Sequence, residues 1–246
     1  MREYYGWPDG AVTSPRPVVT LGMFDGVHLG HRVVIERACG RAAVAGVEAL
    51  VVTFDRHPRC VTDPVGAPPM ITSLTHRLTL FDMIGADAAL VLPFDEDLAA
   101  LDADGFARML LVERLGAGAV VVGHDARFGR DRAGDAAFLS ALGQSAGFDV
   151  EEVPPVTLDD GTTVSSSAIR QAVAARELDR AAAMLGRPVS VLGTVVTGQG
   201  IGRTLGFPTL NLDPHHELHP PRGVYVARTR VGDTVWPSVI NIGHRP

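Results

Sequence analysis

Short apolar runs alternate with helical patterns between residue 17 and about residue 153 of this 246-residue chain. The apolar runs are nearly continuous instead of alternating with polar residues, which is typical of parallel strands covered by helices on both faces. We predict strands at residues 18–23, 47–54, 88–92, 119–123 and 148–153, and helices at residues 30–45, 74–84, 104–115 and 134–146. The pattern favours a doubly wound α/β layout, in which ligands bind beyond the carboxyl ends of the strands.

The sequence pattern changes near residue 187. Two short helices are predicted at residues 167–174 and 178–185, and helical periodicity stops after them. Short β candidates, broken by Gly and Pro, follow at residues 189–196, 209–212, 224–229 and 235–240. This pattern favours an antiparallel barrel or sandwich. We therefore predict a parallel-sheet domain over residues 1–186 and a partial antiparallel β-barrel domain over residues 187–246.

Composition restricts the classes of function. With 22 basic and 28 acidic residues the net charge is −6, which argues against a broad nucleic-acid or membrane surface but leaves room for a local basic pocket. The sequence has no run of 18 apolar residues, and its start lacks the order of a signal peptide, so we expect a cytoplasmic protein. Cys39 and Cys60 cannot build a disulfide framework, and we expect both to be reduced and buried.

A glycine-punctuated turn with two histidines follows the first predicted strand. Its glycines, which let backbone N–H groups approach phosphate oxygens, are Gly22, Gly26 and Gly30. A helix that starts near Gly30 points its positive end at the same place, where His28 and His31 add further donors. A zinc site on His28, His31 and Asp25 is the alternative, although Asp25 stands too close in sequence for a comfortable third ligand.

A second cluster, residues 123–134, follows the strand at residues 119–123 and is rich in Arg and Gly. Arginine forks such as that of Arg127 suit phosphate, Phe128 can stack on or cover a ring, and Asp125 can accept hydrogen bonds from a base, ribose or flavin. The alternative is a solvated loop with helix-capping glycines. The predicted position at the same sheet edge as the histidines favours a role in binding.

Three further segments carry candidate residues. Ser165, Ser166 and Ser167 open a predicted helix with Arg170 one turn in, which favours either a phosphate clamp or simple N-capping by Ser167. Residues 53–58 also follow a strand, and they form either a loop over the pocket or a plain turn. In the β region, the glycine-rich segment 198–206 precedes Thr209 and Asn211, which offer neutral oxygen ligands suited to hydrated Mg²⁺.

Together these segments closely resemble the bacterial bifunctional riboflavin kinase/FAD synthetase family over nearly the whole chain. Residues 21–31 resemble the family's G-x-F-D-G-x-H-x-G-H motif, and residues 52–58 its T-F-x-x-H-P loop. Residues 122–129 resemble the flavin-side segment V-G-x-D/N-F-x-F-G, and residues 165–170 resemble S-S-T-x-x-R with Ser167 in place of Thr. Residues 202–211 resemble the kinase motif G-R-x-L-G-F-P-T-A-N with Leu210 in place of Ala, and residues 223–225 and 241–246 resemble later kinase segments.

The resemblance implies that the N-terminal domain transfers AMP from ATP to the phosphate of FMN, which gives FAD and pyrophosphate. It implies a charge-neutralising, catalytic role for His28 and His31, with Mg²⁺ bridging the β- and γ-phosphates. The implied ATP-binding residues are Gly22, Phe24, Asp25, Gly30, Ser165, Ser166, Ser167 and Arg170. The implied flavin-binding residues are Asp55, His57, Asp125, Arg127 and Phe128.

For the C-terminal domain the resemblance implies ATP-dependent phosphorylation of riboflavin to FMN. Gly200, Gly202, Arg203 and Pro208 then bind nucleotide, and Thr209 and Asn211 bind Mg²⁺. The family's catalytic glutamate lies downstream of N-I-G-x-R-P, the segment that ends this sequence at Pro246. We therefore expect adenylylation by these residues and negligible phosphorylation.

Other functions remain open at this point. Nucleotidyltransferases with pantetheine, nicotinamide or cytidyl substrates share the H-x-G-H motif, although the appended glycine-rich β segment favours flavin. Class I aminoacyl-tRNA synthetases share it too, but the sequence lacks a lysine-rich clamp, room for an anticodon domain and a basic surface. A non-catalytic flavin-binding remnant is the alternative from a different class. The expected partners are ATP, FMN and riboflavin, with no nucleic acid or membrane, and the sequence does not indicate an oligomeric state.

Overall fold

The computed structural model describes residues 1–8, 14–198, 206, 209–215 and 218–243. In these residues a six-stranded parallel sheet has the order β1-β4-β3-β2-β5-β6. Its strands are β1 (Arg2–Tyr5), β2 (Val18–Leu21), β3 (Ala49–Phe54), β4 (Ala88–Leu92), β5 (Ala119–Gly123) and β6 (Asp149–Val153). The predicted α/β class is confirmed.

Helices lie on both faces of the sheet. In chain order the described helices are α1 (Leu29–Ala45), α2 (Arg59–Thr62), α3 (Leu74–Ile84), α4 (Glu96–Ala100), α5 (Ala103–Ala107), α6 (Ala136–Ala146), α7 (Ser166–Ala174) and α8 (Leu178–Leu185). Of these, α7 and α8 form a separate third core cluster. A π-helical segment, Arg108–Arg114, continues α5, and single 3₁₀ turns occur at Pro64–Gly66 and Arg130–Arg132. Helices α1, α3 and α6 each end at a glycine with left-handed backbone, the conformation that glycine adopts most easily.

Alternate strand residues supply two cores because successive side chains of a strand point to opposite faces. Val19 and Leu50 belong to the core that α5, the π-helical segment and α6 complete. Val18 and Val51 belong to the core that α1 and α3 complete. Burial on both faces explains why these strands read as continuous apolar runs.

The order of the strands creates a switch point at β2. The chain moves from β2 to β3 and β4 on one side, and then places β5 on the other side of β2. In open parallel sheets the crevice outside the carboxyl ends of such a pair binds ligands. The turn that follows β2 and the loop that follows β5 border this crevice.

Several sequence predictions differ from the structure. The strand β1 is missed because it is short and mostly exposed at the sheet edge. The predicted helix 104–115 is instead α5 followed by the π-helical segment, and apolar periodicity does not distinguish the two hydrogen-bond patterns. Cys39 is half-buried and Cys60 is exposed, so the expected burial of both is wrong for Cys60; both are free thiols.

The C-terminal part contains two separate antiparallel pairs among the described residues. β7 (Gly193–Val196) pairs with β8 (Asn211–Pro214), and β9 (Gly223–Val231) pairs with β10 (Thr234–Ile242). The predicted strand 189–196 thus begins four residues later, at Gly193. The antiparallel character predicted for this region is confirmed, and apolar side chains such as Val226 and Trp236 of the β9–β10 hairpin are exposed.

Candidate active site

The turn between β2 and α1 has an unusual backbone. Phe24, Gly26 and Val27 have φ angles of 49°, 84° and 40°, which are left-handed conformations. Residues other than glycine adopt this backbone region at an energetic cost, so the surrounding structure has to hold Phe24 and Val27 in place. Gly30 contributes differently, because a Cβ there would lie 3.2 Å from the His28 ring. The turn is therefore compact and is fixed by contacts from outside.

Asp25 fastens the turn to the rest of the domain. Its buried carboxylate accepts hydrogen bonds from the N–H groups of Ile71, at 2.9 and 3.0 Å, and Thr72, at 3.1 Å. It also pairs with Arg170 Nη2 at 2.5 Å, and its backbone carbonyl accepts a 2.8 Å hydrogen bond from Ser166 Oγ. Asp25 and Ser166, both expected to contact ATP, thus hold the turn against α7 in this structure. Their ATP-binding role stays a prediction.

His28 and His31 form a stacked pair at the N-terminus of α1. Their ring centroids are 3.5 Å apart with an interplanar angle of 20°. His28 caps the helix, since its Nδ1 accepts a 3.3 Å hydrogen bond from the His31 N–H. The edge-to-face contact of His31 with Phe24, with centroids 5.3 Å apart, fixes the second ring. Both imidazoles therefore lie where the positive end of the helix dipole meets the switch point.

Burial keeps both imidazoles neutral. It lowers the pKa of His28 to about 4; the Asp125 charge opposes this shift, and Arg187 and Arg170 add to it. Burial also lowers the pKa of His31 well below its ordinary value, with further lowering from His28, Arg77 and Arg187. Because Nδ1 of His28 is an acceptor, the proton of the neutral ring sits on Nε2. Nε2 is thus a hydrogen-bond donor at neutral pH.

Two arginines that the sequence analysis missed, one buried and one partly buried, hold the same turn. Arg77 of α3 donates to the carbonyls of Met23, at 2.6 Å, and Phe54, at 2.9 Å, and to Thr53 Oγ1 at 3.3 Å. Burial lowers its pKa to about 10, so it stays charged at neutral pH. The available signal was its helical spacing, because residue 77 lies three after Leu74 and four before Phe81 on the face turned to the core.

Arg187 is the second arginine, and it is partly buried. Its Nη2 donates to the Gly26 carbonyl at 2.8 Å and its Nη1 to the Val27 carbonyl at 3.0 Å. Burial lowers its pKa to about 10 as well. No carboxylate lies within ion-pair distance of Arg77 or Arg187 in the described part of the chain. Together with Arg170 they make the surroundings of the turn positive, as anionic ligands require.

The loop after β5 brings one of its predicted residues toward the histidines. Asp125 is exposed and close enough for its charge to oppose the lowering of the His28 pKa. Arg127 is exposed and donates to the Ala126 carbonyl. Phe128 is 7% exposed and packs between Phe106 and Phe138, with centroids 5.8 and 6.0 Å away. The expectation that Phe128 stacks on a flavin has no support from this placement, which is that of a core residue.

The segment after β3 lies beside the same turn. Asp55 accepts from the Phe94 N–H at 2.9 Å and pairs with Arg56. Partial burial alone raises the pKa of Asp55, but these hydrogen bonds outweigh it and lower the pKa below its ordinary value. Burial lowers the pKa of His57, and the nearby Arg170 charge lowers it further. His57 is thus close enough to Arg170 of α7 for the charge of Arg170 to affect its pKa.

The serine clamp differs in detail from the sequence prediction. Ser165, and not Ser167, is the N-cap of α7, since its hydroxyl accepts from the Ala168 N–H at 3.2 Å. Ser167 is exposed on the first turn. Arg170 donates from Nε to the Pro69 carbonyl at 2.7 Å, besides its pair with Asp25. Of the predicted clamp residues, Ser166 and Arg170 therefore contact the turn, while Ser165 caps its own helix.

Most of the predicted kinase-site residues lie outside the described residues, namely Gly200, Gly202, Arg203 and Pro208. Thr209 is exposed, and Asn211 begins β8 opposite Val196. The described part of the chain holds no group of three or more His, Cys, Asp or Glu side chains that suits a metal ion. The zinc alternative loses its third ligand in addition, because the Asp25 carboxylate is engaged by Arg170 and two backbone N–H groups.

The folded protein is expected to lose stability as the pH falls from about 6.5 toward 4. Between these values the unfolded chain, with an ordinary His pKa of about 6.5, binds a proton that His28 in the folded state does not. Each such proton lowers the free energy of unfolding by at most about 1.4 kcal/mol per pH unit. Urea unfolding of the parent and of His28→Asn over this range measures the difference. Equal pH dependence in both proteins would contradict the burial of an uncharged His28.

Comparisons with known proteins agree with this geometry. A family model described as FAD synthetase matches residues 12–168, and one described as riboflavin kinase matches residues 185–246. The bifunctional riboflavin kinase/FMN adenylyltransferase of Pseudomonas fluorescens is 40% identical over 229 residues, which are 93% of this chain and 73% of the relative. The protein of the same description from Escherichia coli (strain K12) is 36% identical over 230 residues, with the same two shares.

A solved structure also matches closely. It is described as a macrolide-efflux protein from Streptococcus pneumoniae, is 29% identical, and superposes with a TM-score of 0.85 over 99% of this chain and 79% of that one. In the described residues of the present chain, no helix is long and apolar enough to cross a membrane.

Fold and site define a nucleotidyltransferase-like α/β protein with antiparallel β pairs at its C-terminal end. The family models and the curated relatives make the assignment specific. The chain belongs to the bifunctional riboflavin kinase/FMN adenylyltransferase family, and it carries an FAD synthetase domain and a riboflavin kinase domain.

Proposed function

We propose that the N-terminal part of this protein transfers AMP from ATP to FMN. A phosphate oxygen of FMN forms a bond to the α-phosphorus of ATP, and the bond from that phosphorus to the bridging oxygen of the β-phosphate breaks. The electron pair leaves with pyrophosphate. Because the FMN phosphate is already an oxyanion at neutral pH, no general base is needed, and the protein's task is alignment and charge neutralisation.

The stacked imidazoles at the N-terminus of α1 carry this proposal. They lie at the switch point of the sheet, where the helix dipole and three nearby arginines favour anions. Neutral His28 offers Nε2–H as a donor that strengthens as charge builds on the α-phosphate. We assign His28 and His31 to the α-phosphate, and Ser165, Ser166, Ser167 and Arg170 to the β- and γ-phosphates.

Gly22, Phe24, Asp25 and Gly30 shape the turn that receives ATP in this proposal. Asp55, His57, Asp125 and Arg127 form the flavin side, and of these the Asp125 charge acts on the pKa of His28. Phe128 supports this side from within the core instead of stacking on the ring. The substrates are soluble anions, and we propose that the enzyme acts in the cytoplasm without a nucleic-acid or membrane partner.

Mg²⁺ belongs to this reaction in our proposal, chiefly as a ligand of the triphosphate. Among the described residues its protein ligands are too few for a metal site independent of substrate, which suits an ion that binds with nucleotide. When bound, Mg²⁺ offsets the negative charge of the phosphates. Thr209 and Asn211 have neutral side-chain oxygens, which are suitable ligands for a hydrated Mg²⁺ ion. We assign them to Mg²⁺ in the riboflavin kinase domain.

The C-terminal domain is the candidate for a second activity, for which we expect from the sequence negligible turnover by these residues. The riboflavin kinase family model matches residues 185–246, and from this match we propose that the domain contributes to phosphorylation of riboflavin to FMN. Gly200, Gly202, Arg203 and Pro208 are assigned to its nucleotide site from the sequence alone. Incubation of the chain with riboflavin and ATP, followed by chromatography for FMN, tests this activity separately from adenylylation.

Purified protein with ATP, Mg²⁺ and FMN is expected to form FAD and pyrophosphate in equal amounts. Parallel reactions contain nicotinamide mononucleotide or 4′-phosphopantetheine in place of FMN, or CTP in place of ATP, and these are expected to give little product. Efficient turnover of one of these alternatives with no FAD formed would assign the site to another nucleotidyltransferase. Tight FMN binding with no turnover of any substrate would favour a non-catalytic flavin-binding protein.

A further inference from the structure

A residue beyond the last helix of the α/β domain holds the histidine turn. Arg187 follows Gly186, the left-handed C-cap of α8, and lies inside the riboflavin kinase match at residues 185–246. Its guanidinium nevertheless contacts Gly26 and Val27, which are 161 and 160 residues away in sequence and belong to the FAD synthetase match. The turn is therefore completed from the segment that leads into the second domain.

The contact has the geometry of a two-pronged clamp. The two terminal nitrogens of Arg187 donate to two successive carbonyls: Nη2 to that of Gly26 at 2.8 Å, and Nη1 to that of Val27 at 3.0 Å. Both carbonyl residues have positive φ, so the turn needs external support to stay in this form. A planar guanidinium can engage both carbonyls at once, whereas the compact ammonium of lysine cannot reproduce this fork.

The charge of Arg187 remains uncompensated near the histidines. Its Nε is buried and has no hydrogen-bond partner among the residues that the structure describes. The same charge lowers the proton affinity of His28 and of His31, together with Arg170 for the first and Arg77 for the second. Asp125 acts in the opposite direction on His28. Arg187 thus contributes to keeping these imidazoles uncharged.

Packing beside Arg187 fixes the position of its side chain. Val189 and Leu218 pack against the core of α7 and α8, which includes Ile71. Ser190 Oγ lies 3.4 Å from His76 Nε2, and the Leu218 N–H donates to the Met70 carbonyl at 3.1 Å. Val189, two residues after Arg187, thereby packs in the same cluster as Ile71, whose N–H donates to Asp25.

We propose that Arg187 is a positioning residue for AMP transfer: it holds the Gly26 and Val27 carbonyls so that His28 stays at its capping position and the triphosphate can seat on the turn. This inference rests on the proposed adenylyltransferase function. It also makes the adenylylating site dependent on the residues that follow α8, so that the catalytic unit extends past residue 186.

The test compares Arg187→Met and Arg187→Lys with the control Arg180→Met, whose side chain is exposed and pairs with Glu177. Arg187→Met is expected to fold and to lose about 10- to 100-fold in kcat for FAD formation, since small misplacements of a reacting group have effects of this size. The KM for FMN should change little, and Arg187→Lys should recover only part of kcat. Added guanidinium ion should restore some activity to Arg187→Met and none to Arg180→Met.

Titration of His28 by nuclear magnetic resonance gives a readout that does not need turnover. Its pKa should rise in Arg187→Met, because a positive charge is lost, and stay unchanged in Arg180→Met. Unchanged kcat and unchanged His28 titration in Arg187→Met would overturn the inference, as would a loss of activity that only matches a lower folded fraction by thermal unfolding. Absence of FAD formation by the parent protein would refute the proposed function instead, while the His28 titration still decides the role of Arg187.

Discussion

Replacement of His28 or His31 by alanine is expected to lower the rate of FAD formation about 100- to 1000-fold, the usual loss for one donor to a developing oxyanion. The reason is geometric. The two rings are stacked 3.5 Å apart at the N-terminus of α1, which follows the turn after β2. Steady-state kinetics with FMN and ATP measure the loss, and circular dichroism checks that the fold is retained.

Two further variants make this result specific. His28→Asn keeps a side-chain oxygen that can cap α1, because asparagine is a good N-cap residue, but it removes the imidazole. It should be as inactive as His28→Ala and more stable. His215→Ala removes a histidine that contacts Thr194 in the β region, and it should leave adenylylation unchanged. Full activity in His28→Asn would show that capping, and not the imidazole, matters at this position.

Replacement of Asp25 by alanine is expected to lower the free energy of unfolding by about 3–5 kcal/mol, the usual cost of leaving one partner of a buried ion pair alone. The side chains of Asp25 and Arg170 are 3% and 14% exposed. The change also leaves the Ile71 and Thr72 N–H groups without their acceptor. Urea unfolding measures the loss, and FAD formation should fall in parallel because the turn is released.

The matched control for Asp25→Ala is Asp104→Ala. Asp104 pairs with Arg108 on an exposed helical face at 2.8 Å, and exposed pairs of this kind contribute about 0.2–1 kcal/mol. The double variant Asp25→Ala/Arg170→Met should recover part of the stability, since it removes the unpaired charge. If Asp25→Ala were no more destabilising than Asp104→Ala, Asp25 would not be the anchor of the turn.

The sequence predicted the sheet and the histidine turn because their signals are local. Apolar strands buried on both faces and a glycine-histidine spacing within ten residues leave a pattern that can be detected without tertiary contacts. The edge strand β1 and the π-helical segment leave none of comparable strength. The first is mostly exposed and the second has nearly the periodicity of an α-helix.

The chemical role of individual side chains was harder to predict. Arg77 and Arg187 act on carbonyls that are 54 and 160 residues away. Helical spacing places Arg77 on the core face of α3, but no local pattern shows which carbonyls either arginine contacts. Asp25 was identified in the correct turn, but a sequence does not show whether a carboxylate faces a ligand or binds its own backbone. Phe128 follows a strand at the site edge, yet its ring lies in the core beside Phe106. In each case contacts between residues far apart in sequence decide which side-chain atoms remain available to bind a ligand.

The central claim is that this site transfers AMP to FMN, and the fate of the α-phosphate of ATP tests it most directly. Protein is incubated with Mg²⁺, FMN and ATP that carries a radioactive label only at the α-phosphate, and the products are separated by chromatography. The account predicts that the label appears in FAD, that the pyrophosphate is unlabelled, and that His28→Ala and His31→Ala slow this transfer while His215→Ala does not. Label that stays in ATP, or that appears in ADP while FMN is unchanged, would contradict it.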